Sequence, residues 1–312
     1  MKLSIIVAVY NHEKYIEQTI NSILEQKIAC TYEVLIGEDC SSDNSRLILK
    51  EIEKKCPTNF YFIYREKNWG SEKNFVDLYS RMHGEYFIVI EGDDYWIDSA
   101  KIQQQIDFLE THKEYIACAH NVLVVNEKSD IIPIDYPECK KNEYTIWDYS
   151  KFVLPGQTAS IMSRNYFLDQ SIDKSILEVP YYAGDRRRAF FLLANGKIYC
   201  FQQKWSAYRY VTSGGQSFSA NIKDSGITRY QDLIFYKALL EYSNKIKKKD
   251  FQKVCEAMYI LALYGAFCFK TDGITIEKIF HEYAKCHHKI FIISYLLHYK
   301  LEKRKQKNVT CR

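Results

Sequence analysis

The tetrapeptide Glu91-Gly92-Asp93-Asp94 follows directly on the apolar run Tyr86–Ile90. Closely spaced carboxylates at a rigid strand end suit a hard divalent cation, because such ions take oxygen ligands. Mn²⁺ or Mg²⁺ held there acts as a Lewis acid and neutralises charge building up on a departing diphosphate. Gly92 lets the backbone turn tightly between the acids. The same tetrapeptide also reads as a solvated acidic turn favouring the helix N-terminus after it. A second polar run, Glu38-Asp39-Cys40-Ser41-Ser42-Asp43, follows Val34–Gly37. A carboxylate there can accept the ring N–H of a uracil or thymine base, or the run can cap a helix starting at Ser45. A third run is Ala8-Val9-Tyr10-Asn11. Its ring can stack near a nucleoside and its amide can meet ribose or base, or the tyrosine simply packs.

These runs need a frame that brings them together. Leu3–Val9 is a continuous β-branched apolar run and reads as a buried parallel strand. Tyr32–Gly37, Phe60–Tyr64 and Tyr86–Ile90 read likewise. Between them, Glu13–Gln26, Ser45–Cys56 and Ser71–Met82 carry helical periodicity, and Ala100–His112 follows the fourth strand. This alternation predicts an α/β fold with a doubly wound, mostly parallel sheet. Ligands of such sheets bind outside the carboxyl ends of the strands, where all three polar runs fall. Farther on, Ala117–Val125 and Ile131–Ile134 read as strands around a turn, and Gln157–Arg164 as another strand. Gly184–Ala194 reads as a helix ended by Asn195–Gly196. Lys197–Phe201 and Ser206–Tyr210 read as two short strands. After Gly214–Gly215 the strand rhythm stops, and residues 226–312 read as two or three helices broken at Asn244–Asp250 and Lys270–Gly273. The domain organisation expected is thus 1–225 for binding and catalysis, with a helical appendage over 226–312.

Bulk composition bounds the rest. Over 312 residues, 47% are hydrophobic, enough for a sizeable core and against global disorder. The 26 Tyr and 17 Phe fit a site that stacks flat rings, or an ordinary aromatic core. None of the 10 Cys forms a C-x-x-C pair, and Met1 leads straight into an apolar strand without a basic leader. The expectation is reduced thiols and a cytoplasmic protein. No apolar stretch is long enough to span a bilayer. Net charge is only +4, yet residues 285–312 hold eight Lys/Arg against one acid, Glu302.

In order and spacing, "LSIIVAVYNHEKYIEQTINSILEQ", "EVLIGEDCSSDNS", "EKNWGSEKNF" and "GEYFIVIEGDDYW" resemble glycosyltransferase family 2, of the GT-A fold. The resemblance continues through "GQTASIMSRN", "YYAGDRRRAFFLLANGKIY" and "YRYVTSGGQS", to about residue 215. It implies an inverting sugar transfer from a nucleotide donor, UDP first, to a carbohydrate or lipid-linked acceptor, in bacterial surface-polysaccharide or glycolipid assembly. It implies that Val9, Tyr10 and Asn11 line the nucleotide pocket and that Asp39 meets the base. Asn68, Gly70 and Asn74 would shape the floor beside the diphosphate. Glu91 and Asp93 stand where the family keeps its metal-binding acids, Asp94 would face the sugar, and Asp185 stands at the general base. Arg209 would contact diphosphate or acceptor.

Several positions depart from the family. Ala8 stands where proline is common, Cys40 where glycine is, and Glu91 where the first aspartate is. Asp185 follows Gly184 rather than a second acid, and the usual histidine is missing near Val211. Asp185 also reads as a plain helix cap. A sugar-phosphate nucleotidyltransferase would need a Gly-rich basic loop after the first strand, but that loop is Tyr10-Asn11-His12. No G-x-G-x-x-G marks a dinucleotide site. A non-catalytic partner subunit is the alternative of another class, although Asp39, Asp93, Asp94 and Asp185 are all present. In the tail, Ile290, Phe291, Ile293, Leu296, Leu297 and Leu301 can share one helical face with basic residues at its ends. The expectation is peripheral membrane association through 285–307, at the inner face of the plasma membrane, or packing of that face on the core. Nucleic acid is not expected as a partner, because no nucleic-acid module accompanies the basic cluster.

Overall fold

β1 (Leu3–Val9) is the pivot of the structure: its side chains alternate into two apolar layers, and all but one are buried. The structure, a computed structural model, describes residues 1–181, 183–211 and 226–310, with side chains as far as 303. Tyr182 and the "TSGGQS" end of the last sequence motif lie outside the described residues. So do the side chains of Arg304, Lys305 and Lys307.

The predicted alternation is present. After β1 come α1 (Ile16–Leu24), β2 (Tyr32–Glu38), α2 (Ser45–Glu53), β3 (Phe60–Tyr64), α3 (Ser71–Arg81) and β4 (Tyr86–Glu91). β1 pairs in parallel with both β2 and β4, and β2 with β3. The sheet then turns mixed. It continues through β5 (Tyr95–Trp96), β6 (Tyr115–Val125), β8 (Met162–Arg164) and β9 (Lys197–Arg209), in the order β3-β2-β1-β4-β8-β6-β9-β5. β7 (Glu143–Tyr144) pairs with β9 at one edge. α4 (Lys101–Thr111) and the short α5 (Ile146–Ser150) complete this unit. Ile5, Val7, Ile88 and Ile90 from the central strands meet Ile16, Ile20 and Ile23 of α1 in one buried cluster. The result is the α/β sheet flanked by helices that the sequence predicts.

Three local expectations need correction. Lys197–Arg209 forms one strand rather than two, because β9 stays paired with β6 through an irregularity at His120–Val122. Within Gln157–Arg164, a turn of 3₁₀ helix occupies Thr158–Ser160 and only Met162–Arg164 is strand. There the Gln157 side chain accepts from the Ala159 backbone N–H, a local bond that competes with extended pairing. Ile131–Ile134 makes only a single bridge, Ile131 to Val125, and is not a strand.

A second unit takes in Asp173–Ala194 and Ile222–Arg312, so far as these are described. It contains α6 (Gly184–Asn195), α7 (Gly226–Ile246), α8 (Lys249–Cys268), α9 (Ile276–Lys285) and α10 (Lys289–Thr310). Four described helices therefore follow residue 225, where two or three are expected. The unforeseen break lies between α9 and α10. There the buried Glu256 carboxylate of α8 accepts the backbone N–H groups of His287 and His288 at 3.0 and 2.9 Å. A distant acid thus starts α10, which no local pattern announces. No described helix is long and apolar enough to cross a membrane.

Candidate active site

Parallel pairing alone aligns the three polar runs. Ala8 sits opposite both Gly37 on β2 and Glu91 on β4, so the chain leaves all three strands at one edge. Outside that edge lies a cavity of about 360 Å³. Val9, Tyr10, Asp39, Asn68, Gly70, Asn74, Glu91, Asp93 and Arg209 line it, all of them expected there from the sequence. Asn11, Asp94 and Asp185 do not line it.

Glu91, Asp93 and Asp94 each bring a carboxylate oxygen within 4.8 Å of the others. An all-oxygen donor set of this size fits a hard divalent cation. Asp94 differs from its neighbours in being fully committed within the protein. One of its oxygens accepts the Arg209 backbone N–H at 2.9 Å and the other accepts the Gln157 amide at 2.6 Å. Burial, reinforced by the Asp93 and Glu91 charges, pushes its carboxyl well above the usual carboxylate range. Asp94 thus anchors the loop, leaving Glu91 and Asp93 as the acids on the cavity wall. Gly92 matters for space rather than for an unusual backbone angle: a Cβ there would lie 2.6 Å from Nδ1 of His12.

Arg209 lines the cavity, but its guanidinium is engaged by protein on all sides. Nε donates to the Asp93 carbonyl at 2.9 Å, Nη1 to the Asn126 carbonyl at 2.9 Å and to Ser129 Oγ at 3.1 Å, and Nη2 to Gln18 Oε1 at 2.8 Å. The group also stacks on Tyr15, 4.2 Å from the ring centre. It clamps the acidic loop from behind.

On the other wall, buried Asp39 accepts the Trp69 backbone N–H at 2.8 Å. That bond ties the loop after β2 to the stretch before α3. Asn68 accepts from the Gly70 N–H at 2.7 Å, and Gly70 itself has φ +81°, a conformation glycine adopts without strain. Asn74 is buried and used by the fold, donating to the Gly37 carbonyl and accepting from Arg65. Asn11, with φ +58°, turns its amide oxygen onto the Ser42 N–H at 2.8 Å and joins the first loop to the second. Cys40 has φ +57°, which explains why glycine suits this position. Glu38, in the place of a common aspartate, is buried and holds the turn through the Ser41 N–H and Arg46.

Asp185 belongs to the first turn of α6, in the second unit. Its Oδ1 accepts the Arg186 N–H at 2.7 Å, and burial holds its carboxyl above the usual range. Three residues that the sequence reading does not assign also belong here. His12 lines the cavity with Nε2 3.9 Å from Asp93 Oδ1. Tyr208 lines it beside Arg209, and Gln157 holds Asp94. His12 and Tyr208 neighbour assigned residues in the chain, so adjacency was the available signal. Gln157 stands in the "GQTASIMSRN" motif, but its bond to Asp94 forms only through folding.

The family model described as "Glycosyl transferase family 2" matches residues 4–170. An uncharacterized protein, Rv1520, of Mycobacterium tuberculosis is 37% identical over 125 residues, 40% of this chain and 36% of that one. The poly(ribitol-phosphate) beta-N-acetylglucosaminyltransferase TarS of Staphylococcus aureus is 29% identical over 113 residues, 36% of this chain and 19% of TarS. This chain therefore spans little more than a third of the length of the first curated relatives it matches. The crystal structure of S. aureus TarS 1–349 in complex with UDP-GlcNAc superposes with a TM-score of 0.64 at 18% identity, covering 89% of this chain and 77% of that one. At that identity the likeness establishes the GT-A fold. With more than half its length matched by the family model, and with the acids assembled at the sheet edge, the chain belongs to glycosyl transferase family 2.

Proposed function

We propose that the protein moves a sugar from a uridine diphosphate donor to an acceptor hydroxyl with inversion, in assembly of a bacterial surface polysaccharide or glycolipid. The observation that carries this reading is the juxtaposition of Glu91 and Asp93 with Asp39 around one cavity. Asp39 would accept the base N–H, since Oδ1 already binds the Trp69 backbone and fixes the carboxylate's orientation. Tyr10 would cover the nucleoside. Glu91 and Asp93 would hold Mn²⁺ or Mg²⁺, which when bound supplies positive charge to the leaving diphosphate. The acceptor oxygen bonds to the anomeric carbon as its proton passes to a general base, the role that the family resemblance gives to Asp185, while the sugar–phosphate electron pair leaves with the nucleotide. The raised pKa of Asp185 makes it the better proton acceptor.

Thermal-shift titration with nucleotide sugars, with and without Mn²⁺, tests the binding half. A ligand at about 100 times its Kd stabilises by roughly 2.7 kcal/mol. The Asp93→Ala protein is expected to stay folded, lose metal-dependent nucleotide binding and lose turnover. Full activity in EDTA, or in Asp93→Ala, sinks the metal assignment. Binding without donor hydrolysis or transfer favours a non-catalytic partner subunit instead.

A further inference from the structure

Helix α10 has two apolar faces, and among the described residues only one of them is packed. Ile292 is fully buried on the side that packs against α8. On the opposite side Ile290, Ile293, Leu297 and Leu301 are 86%, 51%, 59% and 55% exposed. Steps of three, four and four residues align them in one stripe. At 1.5 Å per residue the stripe is about 16 Å long. Single exposed aliphatics are ordinary, but four in register on one helix are a surface.

Charge selects what fits that surface. Lys289, Lys300 and Lys303 are exposed. At 100° per residue Lys289 and Lys300 fall along one flank of the stripe, whereas Lys303 lies farther round, with Nζ 5.1 Å from the centre of the Tyr299 ring. The one acid of α10, Glu302, lies on a different side of the helix, roughly 100° from Leu301. Lysine stems lie along apolar surface while the ammonium groups reach outward. We propose that this face of α10 docks on an anionic lipid bilayer, lying in the interfacial plane with the aliphatic stripe among the acyl chains and the lysines at the headgroups. A second copy of the chain fits less well, because self-pairing of the stripe would crowd the lysine flanks, and lysine is depleted from protein interfaces. The proposal goes beyond the transfer reaction and does not depend on it.

The test is co-sedimentation of the full chain, without donor, on phosphatidylcholine vesicles with and without phosphatidylglycerol. The expected result is binding to the anionic vesicles at low salt, weakening as salt rises. Each lysine near such a surface is worth about fivefold in partitioning, so the double variant Lys289→Gln/Lys300→Gln should bind about 25-fold more weakly. The double variant Ile293→Ser/Leu297→Ser should also lose binding. All four side chains are exposed, so both variants should melt with the parent protein. The proposal is overturned if the folded parent ignores anionic vesicles at low salt, or if neither variant weakens binding. It is equally overturned if Ile293→Ser/Leu297→Ser only converts a dimer to a monomer in sedimentation velocity. Donor binding and transfer are measured separately, so failure of docking and failure of the transferase reading are distinguishable.

Discussion

Replacing Arg209 by lysine separates two roles for this residue. The family resemblance makes it a contact for diphosphate or acceptor, whereas the structure directs its donors at the Asp93 and Asn126 carbonyls, Ser129 and Gln18. Lysine keeps the charge but has three donors on one atom and no planar fork. It can serve only part of that set, so about three acceptors lose a partner. Each loss costs roughly 1 kcal/mol at the low end, since the 126–129 turn is partly open to water, and the total is about 3 kcal/mol. In a unit of this size 1 kcal/mol moves the melting temperature by about 2–4 °C, so Arg209→Lys should melt about 6–12 °C lower. Differential scanning fluorimetry with saturating Mn²⁺ and without it is the assay. Metal-dependent nucleotide binding should weaken as well, because the Asp93 loop loses its clamp. A melting temperature within about 2 °C of the parent, with nucleotide affinity alone reduced, would refute the clamp and return Arg209 to the diphosphate.

Other perturbations test other parts. Asp185→Asn should lose on the order of 100- to 10,000-fold in transfer while keeping donor binding, and a loss below about tenfold would make Asp185 only a cap. Because burial raises its pKa, the anion it must supply is lost as pH falls through that raised value. Transfer in the parent should therefore decline on the acid side before donor binding does. Cys40→Val should lower the melting temperature and Cys40→Gly should not, because the left-handed backbone at φ +57° disfavours a β-branched residue most. Glu256→Gln should cost about 1–3 kcal/mol at neutral pH by weakening the cap on α10. Burial raises the Glu256 pKa, but the His287 and His288 backbone donors outweigh it and hold the carboxyl below its ordinary value. That stabilisation is present above the unfolded pKa and is lost as pH falls through the folded one, so the two proteins should converge in acid. Persistence of the difference there would count against the cap.

The sequence by itself determined the parallel half of the sheet and the edge that carries the chemistry. Leu3–Val9, Tyr32–Glu38 and Tyr86–Glu91 are mostly apolar, as strands buried on both faces must be, with Ser4 and Glu33 paired to each other and Glu38 and Glu91 at the strand ends. Once such strands run parallel, their polar ends must meet, so the approach of Asp39, Glu91 and Asp93 to one cavity was legible before any coordinates. What each side chain does there was not legible, because it depends on partners far away in the chain. The resemblance turns Asp94 towards the sugar, and only the return of β9 and the 3₁₀ turn at Thr158 gives it Arg209 and Gln157 to hold. Arg209 looks like a free positive charge until Gln18 and the turn at Asn126–Ser129 close around it. The same reason governs the last helices. Residues 289–303 are visibly amphipathic in sequence, but packing of Ile292 against α8 and capping by Glu256 decided which apolar face is spent inward. Patterning reports the period of an element, while the identity of a buried group's partner is a property of the folded chain alone.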